Sequence, residues 1–181
     1  MRSRSLDSFE VEDTLATMSI IVDSREQETA RAKKRYAAFD APYSRAVLDY
    51  GDYAANCILP DGKRLYDENK RIQADVVIER KMNLDELAGC FTRGRDRFRR
   101  EFERAKSHDA KIYLLIENAS WEMLLAGRYR SKLNPKAFKA SLVAYMARYD
   151  AQVVMCRAET SGKLIKEILF RELKERLSSN D

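Results

Sequence analysis

Cysteine and histidine are scarce in this chain, with three of the first and one of the second in 181 residues. Cys57, Cys90 and Cys156 lie far apart among apolar neighbours and form no CxxC pair. With His108 as the sole imidazole, the ligands of a structural zinc site are missing. The thiol count is odd, and the stretch Met1 to Thr17 carries charges throughout with no apolar leader core, which together point to a reducing compartment. No apolar run approaches the roughly 20 residues that cross a bilayer as a helix. Internal repeats and low-complexity linkers are absent as well. The expectation is an intracellular protein, cytoplasmic or nucleoid-associated, with no membrane partner.

What is present is enough apolar material, 45% of residues, for one well-packed domain, in a chain too short for two comfortable ones. Residues 1–17 mix serine and charge without periodicity and are expected to be a flexible N-terminal extension, the domain then covering 18–181. Lysine and arginine number 34 against 29 acids, a formal net charge of +5, which suits a polyanionic partner without requiring one. The excess is concentrated between Phe91 and Lys106. There Arg93, Arg95, Arg97, Arg99, Arg100, Arg104 and Lys106 are offset only by Asp96, Glu101 and Glu103. That stretch is the first candidate for contact with phosphates.

The pattern of apolar residues predicts a strand at Ile20–Val22 that ends at Asp23, a helix over 27–39, and strands over 43–48 and 53–59 on either side of Gly51. The turn signal Pro60-Asp61-Gly62-Lys63 predicts a projecting hairpin, followed by a polar segment over 63–73 that could be mobile and a central strand over 74–79. Helical spacing begins at Leu84 and continues in a basic helix over 95–107. A strand over 112–116, helices over 121–125 and 135–148, a strand over 152–156 and a helix over 161–177 complete the chain. Strands separated by helices predict an α/β fold with a central mixed β-sheet flanked by helices. The last helix carries Leu164, Ile165, Ile168, Leu169 and Leu173 on one stripe, which reads as core or as a homodimer interface.

The segment Val76-Val77-Ile78-Glu79-Arg80-Lys81 carries the chemistry. Residues two apart in a strand share a face, so Glu79 and Lys81 emerge together and Arg80 points away. A carboxylate beside a lysine at the end of a buried strand is what metal-assisted phosphodiester cleavage requires. The carboxylate holds a hard divalent cation, and the lysine orients or deprotonates water or stabilises charge on phosphorus. A second carboxylate is needed, and Gly51-Asp52 supplies one where glycine permits a close turn. Asp85 follows Lys81 by four residues, on the first turn of the next helix, where it either returns toward the strand end or complements the helix dipole.

With VDSRE at Val22 to Glu26, GDY at Gly51 to Tyr53 and ERKMNLD at Glu79 to Asp85, the chain resembles the XPF-type structure-specific endonucleases, from Ser19 to its C-terminus. Gly94-Arg95 and Tyr113 to Glu117 resemble further steps of the same pattern. The connection between Asp52 and Glu79 is longer than that family's usual connector, and no helix-hairpin-helix pattern follows, so the resemblance is to compact, stand-alone members. It implies a restriction-endonuclease-like fold, dependence on Mg²⁺ or Mn²⁺, and incision of DNA at branches or at duplex to single-strand junctions. By position it implies metal binding by Asp52 and Glu79, a ligand or supporting role for Asp23 and Asp85, and catalysis by Lys81. Glu26, Arg80 and Arg95 match motif positions, Glu26 as a supporting residue and the arginines as DNA contacts.

Singly, GD, ERK and VDSR steps are common punctuation; their ordered set is not. Two other readings stay open: a catalytically silent DNA-binding or partner-docking module of the same fold, and a broad-specificity or end-acting nuclease.

Overall fold

The apolar runs of the sequence become the strands of a single sheet in a computed structural model that describes residues 6–179. β1 (Ser19–Asp23), β2 (Tyr43–Ala46), β3 (Tyr53–Asn56), β4 (Val76–Lys81), β5 (Lys111–Glu117) and β6 (Gln152–Cys156) lie in the order β2-β1-β3-β4-β5-β6. β1 is parallel to β2 and antiparallel to β3, β3 is antiparallel to β4, and β4, β5 and β6 run parallel. The sheet is mixed, as expected. β4 is interior, and alternation divides its side chains. Val77 joins one core with Leu114 and Ile116, while Ile78 joins the other with Leu115.

Helices α1 (Ser8–Ala16), α2 (Ala30–Ala37), α3 (Leu84–Phe91), α4 (Arg95–Ser107), α5 (Trp121–Leu125), α6 (Pro135–Tyr149) and α7 (Ala158–Ser178) cover both faces. Leu87, Phe91, Phe98, Phe102, Phe138 and Tyr145 of α3, α4 and α6 pack on the first face. Val11, Leu15, Tyr36, Ile165 and Leu169 of α1, α2 and α7 pack on the second. α2 starts later than its composition predicts because the Thr29 hydroxyl accepts from the Ala32 N–H and caps it there.

The stretch expected as a flexible extension contains α1. Asp7 and Glu10 form a reciprocal capping box, and Val11, Thr14 and Leu15 are buried, with α1 packed against α7. Residues 1–5 of that expected extension lie outside the described residues. The turn at Pro60–Lys63 closes a small hairpin of its own, with an isolated bridge between Ile58 and Arg64 and a bond from Leu59 N–H to the Lys63 carbonyl. The segment after it is held in place. Buried Asn56 bonds the backbone of Tyr66 and the Glu68 carboxylate, and Ile72 is buried in a bridge with Leu48. On α7, Ile165, Leu169 and Leu173 of the predicted stripe are buried in the chain's own second core, while Leu164 and Ile168 are half-buried against it. Among the described residues no helix is long and apolar enough to cross a membrane.

Candidate active site

The approach of β3 to β4 depends on Gly51. Its φ is +73°, and a Cβ there would lie 2.7 Å from the Val77 Cβ, so only glycine lets the chain turn this close to β4. The turn lays Asp52 along the strand. Its N–H donates to the Ile78 carbonyl at 2.8 Å, and its Oδ2 accepts from the Arg80 N–H at 2.7 Å. Those bonds bracket Glu79 and place the second carboxylate beside it. Burial and the Glu79 charge push the Asp52 carboxyl well above the usual range, against the opposing influence of Lys81.

Glu79 is buried, with Oε1 accepting from Lys81 Nζ and Oε2 buried without any hydrogen-bond partner. Burial drives its carboxyl up to about 7, with Lys81 acting to lower it and Glu101 adding to the rise. The Lys81 ammonium sits 5.3 Å from the Phe98 ring centroid. Burial would lower its pKa, but Glu79 and Asp52 outweigh burial and raise it, so the lysine is a fixed cation here. Glu79 and Lys81 thus share a face, as strand alternation predicts.

Half-buried Asp52 and buried Glu79 both act on the one Lys81 ammonium, and the Glu79 Oε2 has no donor. Among the described residues no group of three or more His, Cys, Asp or Glu forms a metal cage. Mg²⁺ does not need one, since it is commonly held by one or two carboxylates with water and substrate phosphate oxygens completing its shell. The Asp52 and Glu79 carboxylates fit such an ion.

The other predicted residues are placed differently. Asp23 is buried at the end of β1, and its carboxylate is committed to the Arg25 N–H and guanidinium, at 2.6–2.9 Å, and to the Leu48 N–H. It fixes Arg25, whose guanidinium interacts with Glu101 and Asp52. Asp85 faces a remote loop: its Oδ1 accepts from the N–H groups of Arg130 and Ser131, each at 2.7 Å. Arg80 crosses to the opposite face, with its guanidinium 3.3 Å from Glu117 and 3.9 Å from Glu26. It is a strut in an ionic network and not part of the exposed basic surface.

Arg93, just before α4, and Arg95, Arg97, Arg99, Arg100 and Arg104 on it are exposed. Arg99 pairs with Asp96 and Glu103, and Arg104 with Asp49, which leaves less free positive charge on this helix than its composition implies.

Two features escape sequence reasoning. Glu101, counted there only as an offset to neighbouring arginines, turns inward, where its Oε1 accepts from the Gly51 N–H at 3.0 Å and its charge acts on Glu79. Its i, i+3 spacing from Phe98, together with Phe102, was the available sign that this part of α4 faces the sheet. Behind Arg80, buried Arg35 donates to Glu117 and to the Tyr53 hydroxyl, each at 3.0 Å. A buried arginine in a basic helix has no local signature.

The ERCC4 domain matches residues 22–168. Among solved structures the chain is similar to XPF from Aeropyrum pernix at 18% identity, with a TM-score of 0.57, covering 89% of this chain and 66% of that one. It is also similar to the A. pernix XPF in complex with DNA, at 18% identity and a TM-score of 0.59, with coverage of 87% and 66%. The chain thus spans about two thirds of the length of those structures. Curated proteins yielded no match.

Proposed function

The chain belongs to the ERCC4 domain family, and from that premise we propose that it is a metal-dependent DNA endonuclease acting on branched DNA or at duplex to single-strand junctions, in repair, recombination or replication. The observation that carries the reading is the buried Glu79 Oε2, without a donor, beside the raised Asp52 carboxyl and the fixed Lys81 ammonium. Asp52 and Glu79 would hold Mg²⁺ or Mn²⁺. When bound, such an ion polarises a phosphoryl oxygen and makes a water nucleophilic near neutral pH. Lys81, held by Glu79 and Phe98, keeps its charge aimed at the place where the phosphate gains negative charge, a preorganised stabilisation that needs no movement at the moment of reaction. Asp23 acts through Arg25, whose guanidinium it orients and whose charge Asp52 and Glu101 favour.

The test is incubation of labelled flap, fork, splayed-arm, duplex and single-stranded DNA with Mg²⁺, followed by mapping of the cut sites. Cuts clustered in duplex beside a junction are expected. Uniform cutting, or attack from ends alone, would replace junction specificity with a broad or end-acting nuclease. Binding without cleavage in Mg²⁺ or Mn²⁺ would leave a silent module.

A further inference from the structure

From Gly127 to Tyr149 the chain contains Arg128, Arg130, Lys132, Lys136, Lys139 and Arg148 and not one aspartate or glutamate. These six positive charges exceed the +5 of the whole protein, so the remainder is net negative by one. Free cationic surface is therefore a property of this segment more than of α4, where Arg99 and Arg104 are paired with acids. Arg128, Arg130, Lys132, Lys136 and Lys139 are all exposed, and Arg130 is the one of them with a carboxylate partner among the described residues, Asp85 at 3.5 Å.

The first part of the segment is a built loop. Asp85 accepts from two consecutive N–H groups, the Tyr129 hydroxyl donates to the Leu133 carbonyl at 2.7 Å, and the Leu133 N–H donates to Ser131 Oγ. With α3 the loop forms an open groove of about 910 Å³ whose cations are Arg93, Arg130 and Lys132, with Thr92, Ser131 and Asn134 between them. The N-terminus of α6 opens into it with no acid in its first turn, so its dipole adds to the positive potential. β5 and β6 are parallel, so α5 leaves the carboxyl end of β5 and α6 returns toward the amino end of β6. The loop between them therefore lies over the carboxyl ends of the parallel strands, the end of β4 at which Glu79 and Lys81 sit.

Resting on the nuclease reading above, we propose that this groove is a phosphate-binding surface that holds the DNA backbone beside the catalytic pair, and that Asp85 is the positioning residue that shapes it. The contacts are to phosphates and carry no sequence preference. The ERK strand and the basic loop are linked through Asp85, four residues from Lys81 and 45 from Arg130.

The test measures DNA affinity of the full chain without divalent metal, over a salt series, on a labelled fork and its parent duplex. The double variant R130A/K132A is expected to bind about tenfold more weakly, and its log–log salt slope to fall in magnitude by about 1 to 2, on both DNAs. Asp85→Ala separates positioning from simple charge. Removing an acid near DNA should tighten binding by charge alone, whereas a disordered loop should weaken it, with Asp85→Asn, which still accepts both N–H groups, restoring affinity. Wild-type slope and affinity in R130A/K132A, with wild type binding and cutting DNA normally, would overturn the groove alone. Tighter binding by Asp85→Ala would overturn the role of Asp85. Wild type that neither binds nor cuts DNA would instead sink the nuclease reading and the groove with it.

Discussion

Glu79 and Lys81 hold each other in opposite protonation biases, and this makes their variants informative in different ways. Asp52→Asn or Glu79→Gln should lower cleavage by at least about a hundredfold, of the order seen when a site loses its electrostatic stabilisation, while DNA affinity stays within about twofold. Normal cleavage by both in Mg²⁺ would remove them from the site. Lys81→Met keeps the stem but removes the cation that opposes the rise at Glu79, already pushed up to about 7. The Glu79 proton then competes harder with metal. Mn²⁺ affinity measured by titration calorimetry should fall near neutral pH and recover at higher pH, while turnover stays lost throughout. Recovery of turnover along with metal binding would reduce Lys81 to a tuner of Glu79. Strand alternation made the shared face of this pair legible in the sequence, and the same alternation sent Arg80 to the other side. The inward side of α4 at Glu101 was signalled by Phe98 and Phe102, but its partner Gly51, 50 residues away, was not legible.

At the scale of elements, local periodicity located nearly every strand and helix, since each buries one face. It misread those whose fate depends on a distant partner. α1 has its capping box in the sequence, but the reason it stays folded is the α7 surface it covers. Asp85 reads as a first-turn acid until the loop at Arg130 is brought to it. The contact of α2 with α7 depends on Gly162, where a Cβ would lie 2.5 Å from the Arg35 carbonyl oxygen and 2.8 Å from the Ala38 Cβ. Alanine gains about 1 kcal/mol in helix propensity over glycine, but overlap with helix backbone costs about 1–3 kcal/mol and has no flexible side chain to absorb it. The net loss, up to about 2 kcal/mol, should lower the Tm of Gly162→Ala by up to roughly 8 °C and, by shifting α2, loosen Arg35 from Glu117. A Tm equal to or above wild type in thermal unfolding would show that α2 yields freely.

For the whole molecule, the buried Glu79 carboxylate beside Asp52 opposes folding when it is charged. A carboxyl raised from 4.5 to about 7 binds its proton more tightly in the folded state than in the unfolded one. Stability from that proton is present below about 4.5, declines as pH rises through the window, and is gone above about 7. Across that window the Tm of wild type should fall relative to that of Glu79→Gln, which has no proton to lose at this position. A divalent cation that binds only the folded state reverses the loss, by about 2.7 kcal/mol when present at a hundred times its dissociation constant. Mn²⁺ at mildly alkaline pH should therefore raise the wild-type Tm by several degrees, EDTA should return it to the metal-free value, and Glu79→Gln should respond little. Thermal unfolding in matched buffers reads all of these quantities without any DNA present. A wild-type Tm indifferent to Mn²⁺, or a Glu79→Gln variant that responds as strongly, would mean that the partnerless oxygen of Glu79 is not where the metal binds.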